Sequence, residues 1–201
     1  MTWRCVLDEC PELSERWQAN WPDCPPDGSE LRWLYASRWV RFHSLPESKR
    51  YADTPAEYDI LLHRHNTVLS ALFNGQEVFV VTAAYTGERE LVEPLKYPEP
   101  LTLNPGARLW MTVTEDEEGE EFSIYSHMLV TRRSWRPGVL DPLLRAVADD
   151  VIAGVLITDM RMSRIYHPYD GGADCILEST AERDRLEVSC EDWLPARPAG
   201  R

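Results

Sequence analysis

Apolar and polar positions alternate along residues 35–43, and this period of two predicts a strand with two unlike faces. Val40 and Phe42 point to one face in this pattern. The opposite face carries larger polar and aromatic side chains: Trp39, Arg41 and His43. The strand therefore has one apolar face suited to a core and a second face of different character.

Spacings of three and four residues between apolar positions predict helices elsewhere. The clearest helix begins after Thr54, which forms a capping box with Glu57, and it has Pro55 at its first position and ends near Phe73. Further helices are predicted over three segments: Pro11 to Trp21, Pro137 to about Ile152, and Ser179 to about Trp193.

The remaining β-rich segments complete a sheet. They are residues 77–85, a hairpin of 108–114 with 122–131, and the short segments 155–158, 164–167 and 174–177. Hairpins dominate this order, and strands do not alternate regularly with helices. The pattern predicts an α+β fold with a mixed, mostly antiparallel sheet and about three helices, largely on one face. Residues 86–106 are predicted to form a long loop.

The chain has 201 residues and is 43% hydrophobic, which is enough to bury one core without disulfides or metals. We predict a single α+β domain over residues 35–195. Residues 1–34 are predicted to pack as an N-terminal appendage, and residues 196–201 to form a frayed tail. The sequence does not indicate an oligomeric state.

A formal net charge of −13 narrows the classes of partner. Phosphates of a nucleic acid would be repelled, so we expect no nucleic acid, whereas a basic protein would be attracted. No stretch approaches ~18 uncharged apolar residues, and the N-terminus lacks the apolar run of a signal peptide. We therefore expect no membrane association and a cytoplasmic location. The cysteines form no Cys-x-x-Cys pair, and we expect no metal and no cofactor.

The charge is unevenly distributed along the chain. Residues 32–50 contain five cations and one anion, so this window carries +4. Its cations are Arg32, Arg38, Arg41, Lys49 and Arg50. Arginine suits bidentate contact with carboxylate or phosphate. In residues 115–121, by contrast, six of the seven side chains are acidic, which is typical of a solvated turn.

Two segments resemble a known group of sequences. Residues 38–51 read RWVRFHSLPESKRY, and residues 166–174 read YHPYDGGAD, followed by Trp193-Leu194. Together they resemble an uncharacterised family of bacterial proteins with an RFHSLP-SKRY block and a PYDGG-D block. The second block is also similar to a bacterial domain of unknown function marked by a Tyr-Asp-Asp-Arg-Gly turn, although this chain has no arginine in that turn. The resemblance covers roughly residues 35 to 195 and implies a bacterial origin, but it implies no activity.

The sheet face that carries Arg41 is the candidate binding site. If the neighbouring strands present their polar residues to the same side, the face gathers indole, guanidinium, imidazole and phenol groups. Its predicted members are Trp39, Arg41, His43, Lys49, Arg50, Tyr125 and His127, with Asp170 as a further ligand-binding candidate. Such a face suits an anionic or aromatic ligand or a protein partner. The alternative is that residues 86–106 cover the face and that its side chains are satisfied internally.

Asp170 and Asp174 flank two glycines in the second block. Two carboxylates beside a Gly-rich turn could hold Mg²⁺ or Ca²⁺, but too few oxygen ligands are present, and a tight turn in which Asp170 bonds its own backbone is favoured. Acid–base catalysis by His43, His127 and Asp170 would require all three to meet in the folded chain.

Two hypotheses about function follow, and they belong to different classes. The sequence has no zinc-protease helix, no nucleophile elbow and no phosphate loop, so it identifies no catalytic residue and leaves enzyme activity open. The first hypothesis is a non-enzymatic protein-binding module, of an immunity or regulatory type, with residues 115–121 as a contact for a basic partner. The alternative is an enzyme or a receptor for a phosphorylated or other anionic small molecule, bound at the arginine and histidine face.

Overall fold

A computed structural model describes residues 3–115 and 123–195, which form eight strands and six helices. The strands are β1 (Trp3–Asp8), β2 (Trp39–His43), β3 (Glu77–Thr86), β4 (Arg108–Glu115), β5 (Tyr125–Ser134), β6 (Leu156–Asp159), β7 (Ile165–Tyr169) and β8 (Gly172–Ile176). The helices are α1 (Pro11–Asn20), α2 (Gly28–Leu34), α3 (Pro55–Phe73), α4 (Glu99–Thr102), α5 (Asp141–Ala148) and α6 (Thr180–Ser189). None of these helices is long and apolar enough to cross a membrane.

All eight strands belong to one sheet, in the order β1-β4-β5-β3-β6-β7-β8-β2, and every neighbouring pair is antiparallel. Strands that follow each other in the chain pair in three cases, β4 with β5, β6 with β7 and β7 with β8. The predicted mixture of α and β structure with a mostly antiparallel sheet is confirmed. The two edge strands, β1 and β2, come from the first 43 residues of the chain.

Helices cover both faces of the sheet, so the prediction that they lie largely on one face is wrong. On one face, Val40 and Phe42 pack in a core with residues of α3, α5 and α6, among them Phe73, Leu144 and Leu186. On the other face, α1 and α2 supply Trp17 and Leu31 to a second core. The reason lies in β3, which is buried at seven consecutive positions. A strand that is buried on both sides needs helices or other cover on both faces of the sheet.

Residues 1–34, predicted as an appendage, supply β1, α1 and α2. β1 pairs with β4 along the sheet edge, and the indoles of Trp17 and Trp21 are fully buried. The indole nitrogen of Trp17 donates to the Cys24 carbonyl at 2.8 Å, and that of Trp21 donates to the Met162 carbonyl at 2.6 Å. A buried indole needs such a partner for its N–H group. These bonds fix the position from which α2 reaches β2.

The predicted capping box of α3 is present, with the Thr54 hydroxyl accepting from the Glu57 amide and the Glu57 carboxylate accepting from the Thr54 amide. The helices predicted near Pro137 and Ser179 are real but shorter than expected. α6 ends at Ser189 and is followed by a separate 3-10 turn, Glu191–Trp193. Helix ends are set by local capping, which an apolar stripe does not specify.

Candidate functional site

A cleft of about 440 Å³ lies at the β2 edge of the sheet, on the face that α2 covers. Its walls are α2, β2, β7, β8, the turn between β7 and β8, and the two residues Ser48 and Arg50. Titratable side chains dominate its lining: Arg32, Arg41, His43, Arg50, His167, Tyr169, Asp170 and Asp174. Alternation along β2 explains the convergence, because Val40 and Phe42 enter the α3-side core and therefore direct Arg41 and His43 to this face.

Arg41 and Asp174 form the centre of the cleft. The two residues are directly opposed in the β2–β8 register, and the guanidinium donates from Nε to Oδ1 at 2.7 Å and from Nη2 to Oδ2 at 2.8 Å. The Asp174 side chain is only 3% exposed. The hydrogen bonds to Asp174 raise the pKa of Arg41 despite its partial burial. The Arg41 guanidinium also lies 5.3 Å from the Trp39 ring centroid and 4.9 Å from that of Tyr169, which holds it in one orientation.

A second arginine–aspartate pair stands at the mouth of the cleft. Arg50 Nε donates to Asp170 Oδ2 at 2.6 Å, and the Tyr51 hydroxyl donates to the same oxygen at 2.9 Å. The Arg50 side chain is 64% exposed, so this pair is largely in water. The interpretation that Asp170 bonds its own backbone is wrong, because the carboxylate instead connects the β7–β8 turn to residues 50 and 51.

Two imidazoles face the cleft, and each is oriented by a backbone group. His167 Nδ1 donates to the Val155 carbonyl at 2.9 Å, which leaves Nε2 as an acceptor in the neutral ring. Burial lowers the pKa of His43, with Arg41 and Arg64 adding to the effect, while a hydrogen bond to the Gly171 backbone opposes it. The second ring nitrogen of each imidazole has no protein partner within residues 3–115 and 123–195. Both nitrogens can therefore form a hydrogen bond with a ligand.

Two glycines shape the cleft by letting other groups approach closely. A Cβ on Gly28 would lie 2.1 Å from Cδ2 of His167, so the first residue of α2 rests directly on this ring. A Cβ on Gly172 would lie 2.0 Å from the Phe42 carbonyl oxygen and 3.0 Å from the Tyr169 hydroxyl. Glycine at position 172 thus leaves room for the Tyr169 phenol across the floor of the cleft. Burial raises the pKa of Tyr169, so its hydroxyl stays a neutral donor.

The structure brings together five of the eight predicted site residues and separates the other three. Trp39, Arg41, His43, Arg50 and Asp170 lie in or against the cleft. Lys49 instead binds Asp53 and Glu57 at the start of α3. Tyr125 and His127 lie on β5, which is separated from β2 by four intervening strands, and they lie on the other face.

His127 is enclosed by hydrogen bonds to two threonines, Thr86 and Thr112. Residues 86–106, the predicted cover, lie on that same opposite face: the Pro100 carbonyl accepts from the Thr82 hydroxyl, and the Asn104 amide donates to the Val80 carbonyl. The loop therefore does not cover the cleft. The predicted site residues therefore lie on two different faces of the sheet, because β3 and β5 carry their polar residues on the α3 side.

Sequence reasoning missed the contribution of α2, which brings Ser29 and Arg32 to the cleft. A signal was present: Asp27 is followed three residues later by Glu30, which is the pattern of a helix start. The Asp27 carboxylate indeed accepts from the amides of Ser29 and Glu30. The sequence pattern indicates Asp174 only as a candidate metal ligand. The described part of the chain has no group of three or more His, Cys, Asp or Glu residues that could hold a metal.

A different polar cluster lies behind the cleft, on the α3 side of the same strands. Ser44 Oγ is 3.1 Å from His65 Nε2, and His65 Nδ1 is 2.5 Å from the Tyr166 hydroxyl. The connectivity resembles that of a serine nucleophile with a histidine base. The tautomer of His65 decides which atom donates in each contact. All three side chains are buried, so a substrate has no access to them and the cluster is structural.

Comparisons with known proteins give a family and no activity. The searches of curated proteins and of solved structures find no match. One family profile, described as a domain of unknown function, matches residues 28–198, a range that holds every cleft residue named above and most of the sheet. The predicted resemblance to a family of unknown function is thereby confirmed, and the chain belongs to the family called Domain of unknown function DUF3885.

Proposed function

We propose that the protein is a receptor for a small phosphorylated molecule, which binds in the cleft between α2 and the β7–β8 turn. The observation that carries the proposal is the convergence of three guanidinium groups, from Arg32, Arg41 and Arg50, on one open cavity. Guanidinium groups present several donors in a fixed fork that matches the oxygens of a phosphate group.

The charge of the cleft favours a small anion. Its three arginines face two aspartates, Asp170 and Asp174, so one positive charge remains in a chain whose net charge is −13. A cationic cavity inside an otherwise anionic surface attracts anions locally and discourages extended polyanions. The volume of about 440 Å³ lies within the ~300–1,000 Å³ of small-molecule pockets.

The two arginine–aspartate pairs have different parts in this proposal. Arg41 is fixed by Asp174 and by the flanking Trp39 and Tyr169 rings, so it needs little reordering when a ligand arrives. Arg50 is exposed and bound to a single carboxylate oxygen of Asp170, so it can exchange that oxygen for one of a ligand. His43 and Tyr169 add neutral hydrogen-bonding groups beside the anion.

The hypothesis of a protein-binding module of the immunity or regulatory type stays a prediction. Its proposed contact for a basic partner falls mostly on residues 116–122, which lie outside the described part of the chain. The cytoplasmic location, which suits a receptor for a phosphorylated metabolite, also stays a prediction.

The test is calorimetric titration of the protein with ribose 5-phosphate and with inorganic phosphate at low ionic strength. We expect Arg50→Ala to weaken binding of ribose 5-phosphate about tenfold, because a charge-assisted hydrogen bond is lost. The matched control is Arg108→Ala, whose side chain is 66% exposed and pairs with Glu12 on another part of the surface. Failure of both probes to bind, or equal losses in the two variants, would contradict the proposal.

A further inference from the structure

We infer that the phosphorylated ligand is a nucleoside monophosphate, whose base stacks on the exposed indole of Trp33 while its phosphate enters the cleft; this inference rests on the proposed function. Two observations support it independently: an unburied aromatic ring in contact with Arg32, a residue of the cleft lining, and the small residual charge of the cleft itself.

Trp33 is 69% exposed, which is unusual for the largest apolar side chain. The buried residues of α2 are Gly28 and Leu31, so Trp33 lies on the side of the helix away from the core. The Arg32 guanidinium lies over this indole, 4.9 Å from the ring centroid. An exposed aromatic face of this kind is a platform on which a planar base can stack.

Arg32 connects the indole to the anion site. Its guanidinium contacts Trp33 and also lines the cleft, where Nη1 is 4.0 Å from Asp174 Oδ2. The distance from Trp33 to the cleft is therefore spanned by one side chain. This arrangement matches a ligand that joins a planar apolar group to an anion through a short linker, as a nucleoside monophosphate joins its base and phosphate through one ribose.

The charge of the cleft selects the number of phosphates. A phosphate monoester carries about −1.5 to −2 charges at neutral pH, which the one residual positive charge and the hydrogen-bonding groups of His43 and Tyr169 can match. A triphosphate or a nucleic acid strand would leave several negative charges without a counterpart, next to a protein surface that is already acidic.

The experiment compares four probes by calorimetric titration of the full chain: adenosine 5′-monophosphate, cytidine 5′-monophosphate, ribose 5-phosphate and adenosine. We expect the two nucleotides to bind about tenfold more tightly than ribose 5-phosphate, because one base stacks on one ring. Adenosine should not bind measurably, since it has no phosphate.

The variants are Trp33→Ala, Trp33→Phe and the control Tyr97→Ala. Tyr97 is 64% exposed and has a cation beside it, with Lys96 Nζ 5.2 Å from the ring centroid, but Lys96, unlike Arg32, does not line the cleft. Trp33→Ala should remove the advantage of the nucleotides and leave ribose 5-phosphate unchanged. Trp33→Phe should keep part of that advantage, and Tyr97→Ala should keep all of it.

The two proposals fail in distinguishable ways. If ribose 5-phosphate binds in a manner that depends on Arg50, but nucleotides bind no more tightly and Trp33→Ala has no effect, the inference is overturned and the proposed function stands. If adenosine triphosphate, added as a fifth probe, binds more tightly than the monophosphate, the charge argument is overturned. If no phosphorylated probe binds, both the inference and the proposed function fall.

Discussion

The strands β7, β8 and β2 carry a polar cluster on each face, and the two clusters have opposite characters. On the α3 side, Ser44, His65 and Tyr166 are buried and bonded to one another. On the α2 side, His43 and His167, the sequence neighbours of Ser44 and Tyr166, face an open cavity. A change of one position along the chain thus separates a closed hydrogen-bond chain from an accessible site, because side chains alternate between faces.

The comparison shows how a structural polar cluster differs from a candidate site made of the same residue types. In the closed cluster, both nitrogens of the His65 ring have protein partners, and the cavity beside them is only about 10 Å³, so the bonds serve stability. In the cleft, the rings of His43 and His167 are each held at one nitrogen and open at the other. A binding site requires side chains that are held in position and still have a hydrogen-bonding atom available to the ligand.

The largest effect we predict comes from breaking the buried ion pair of the cleft. Arg41→Ala leaves the carboxylate of Asp174 buried without its bidentate partner, and Arg32, at 4.0 Å, replaces it only in part. We expect a loss of about 3 kcal/mol in the free energy of unfolding, measured by urea denaturation. Arg108→Ala, which removes an exposed pair, serves as the control. A loss below about 1 kcal/mol in Arg41→Ala would show that Asp174 is stabilised by other groups.

The next effect belongs to the closed cluster and depends on pH. Complete burial lowers the pKa of His65 to about 4, whereas an unfolded histidine has a pKa of about 6.5. Below pH 6.5 the unfolded chain binds a proton that the folded chain does not, so stability is fully present above that pH and falls as the pH decreases towards 4. Between pH 6.5 and pH 5 we expect His65 to account for a loss of about 2 kcal/mol.

Urea denaturation at several pH values measures this slope. His65→Gln should flatten it, because glutamine does not titrate in this range. His63→Gln is the matched control, since His63 lies on the exposed side of the same helix, and it should keep the slope of the unchanged chain. Equal slopes in both variants would mean that other groups cause the loss.

The two faces were not equally predictable from the sequence. The alternation in residues 39–43 predicted correctly that Trp39, Arg41 and His43 share a face, because the period of a strand is local. The same alternation could not place Tyr125 and His127, since the face of β5 depends on its register with β3 and on what covers each side of the sheet. Those are properties of the tertiary structure.

The cleft residues that the sequence did not predict are brought to the site by contacts between segments far apart in the chain. Asp174 meets Arg41 only because β8 pairs with β2 across 133 residues of sequence. Arg32 arrives on a seven-residue helix that has too few turns for an apolar stripe. The helices on the second face could have been expected from the largely apolar sequence of β3, a signal that indicates burial on both sides without saying which segment provides it.

A smaller effect concerns the contact between α2 and the cleft. Gly28→Ala places a methyl group against the ring of His167, and we expect a loss of about 1.5 kcal/mol in the free energy of unfolding from overpacking. His167→Ala removes the obstacle, so Gly28→Ala in that background should cost less than about 0.5 kcal/mol. Denaturation of the two single variants and the double variant measures the coupling. Additive losses would show that the two residues do not press on each other.

The smallest effect on stability is expected from the exposed pair at the mouth of the cleft, and it completes the comparison within the site. Arg50 is mostly in water, so Arg50→Ala should leave the urea midpoint within the scatter of replicate measurements. The same variant is expected to weaken ligand binding, whereas Arg41→Ala changes stability as well. A clear shift of the midpoint in Arg50→Ala would mean that the bonds from residues 50 and 51 to Asp170 hold the β7–β8 turn in place. Arg50 would then contribute to stability, as Arg41 does, and would not serve ligand binding alone.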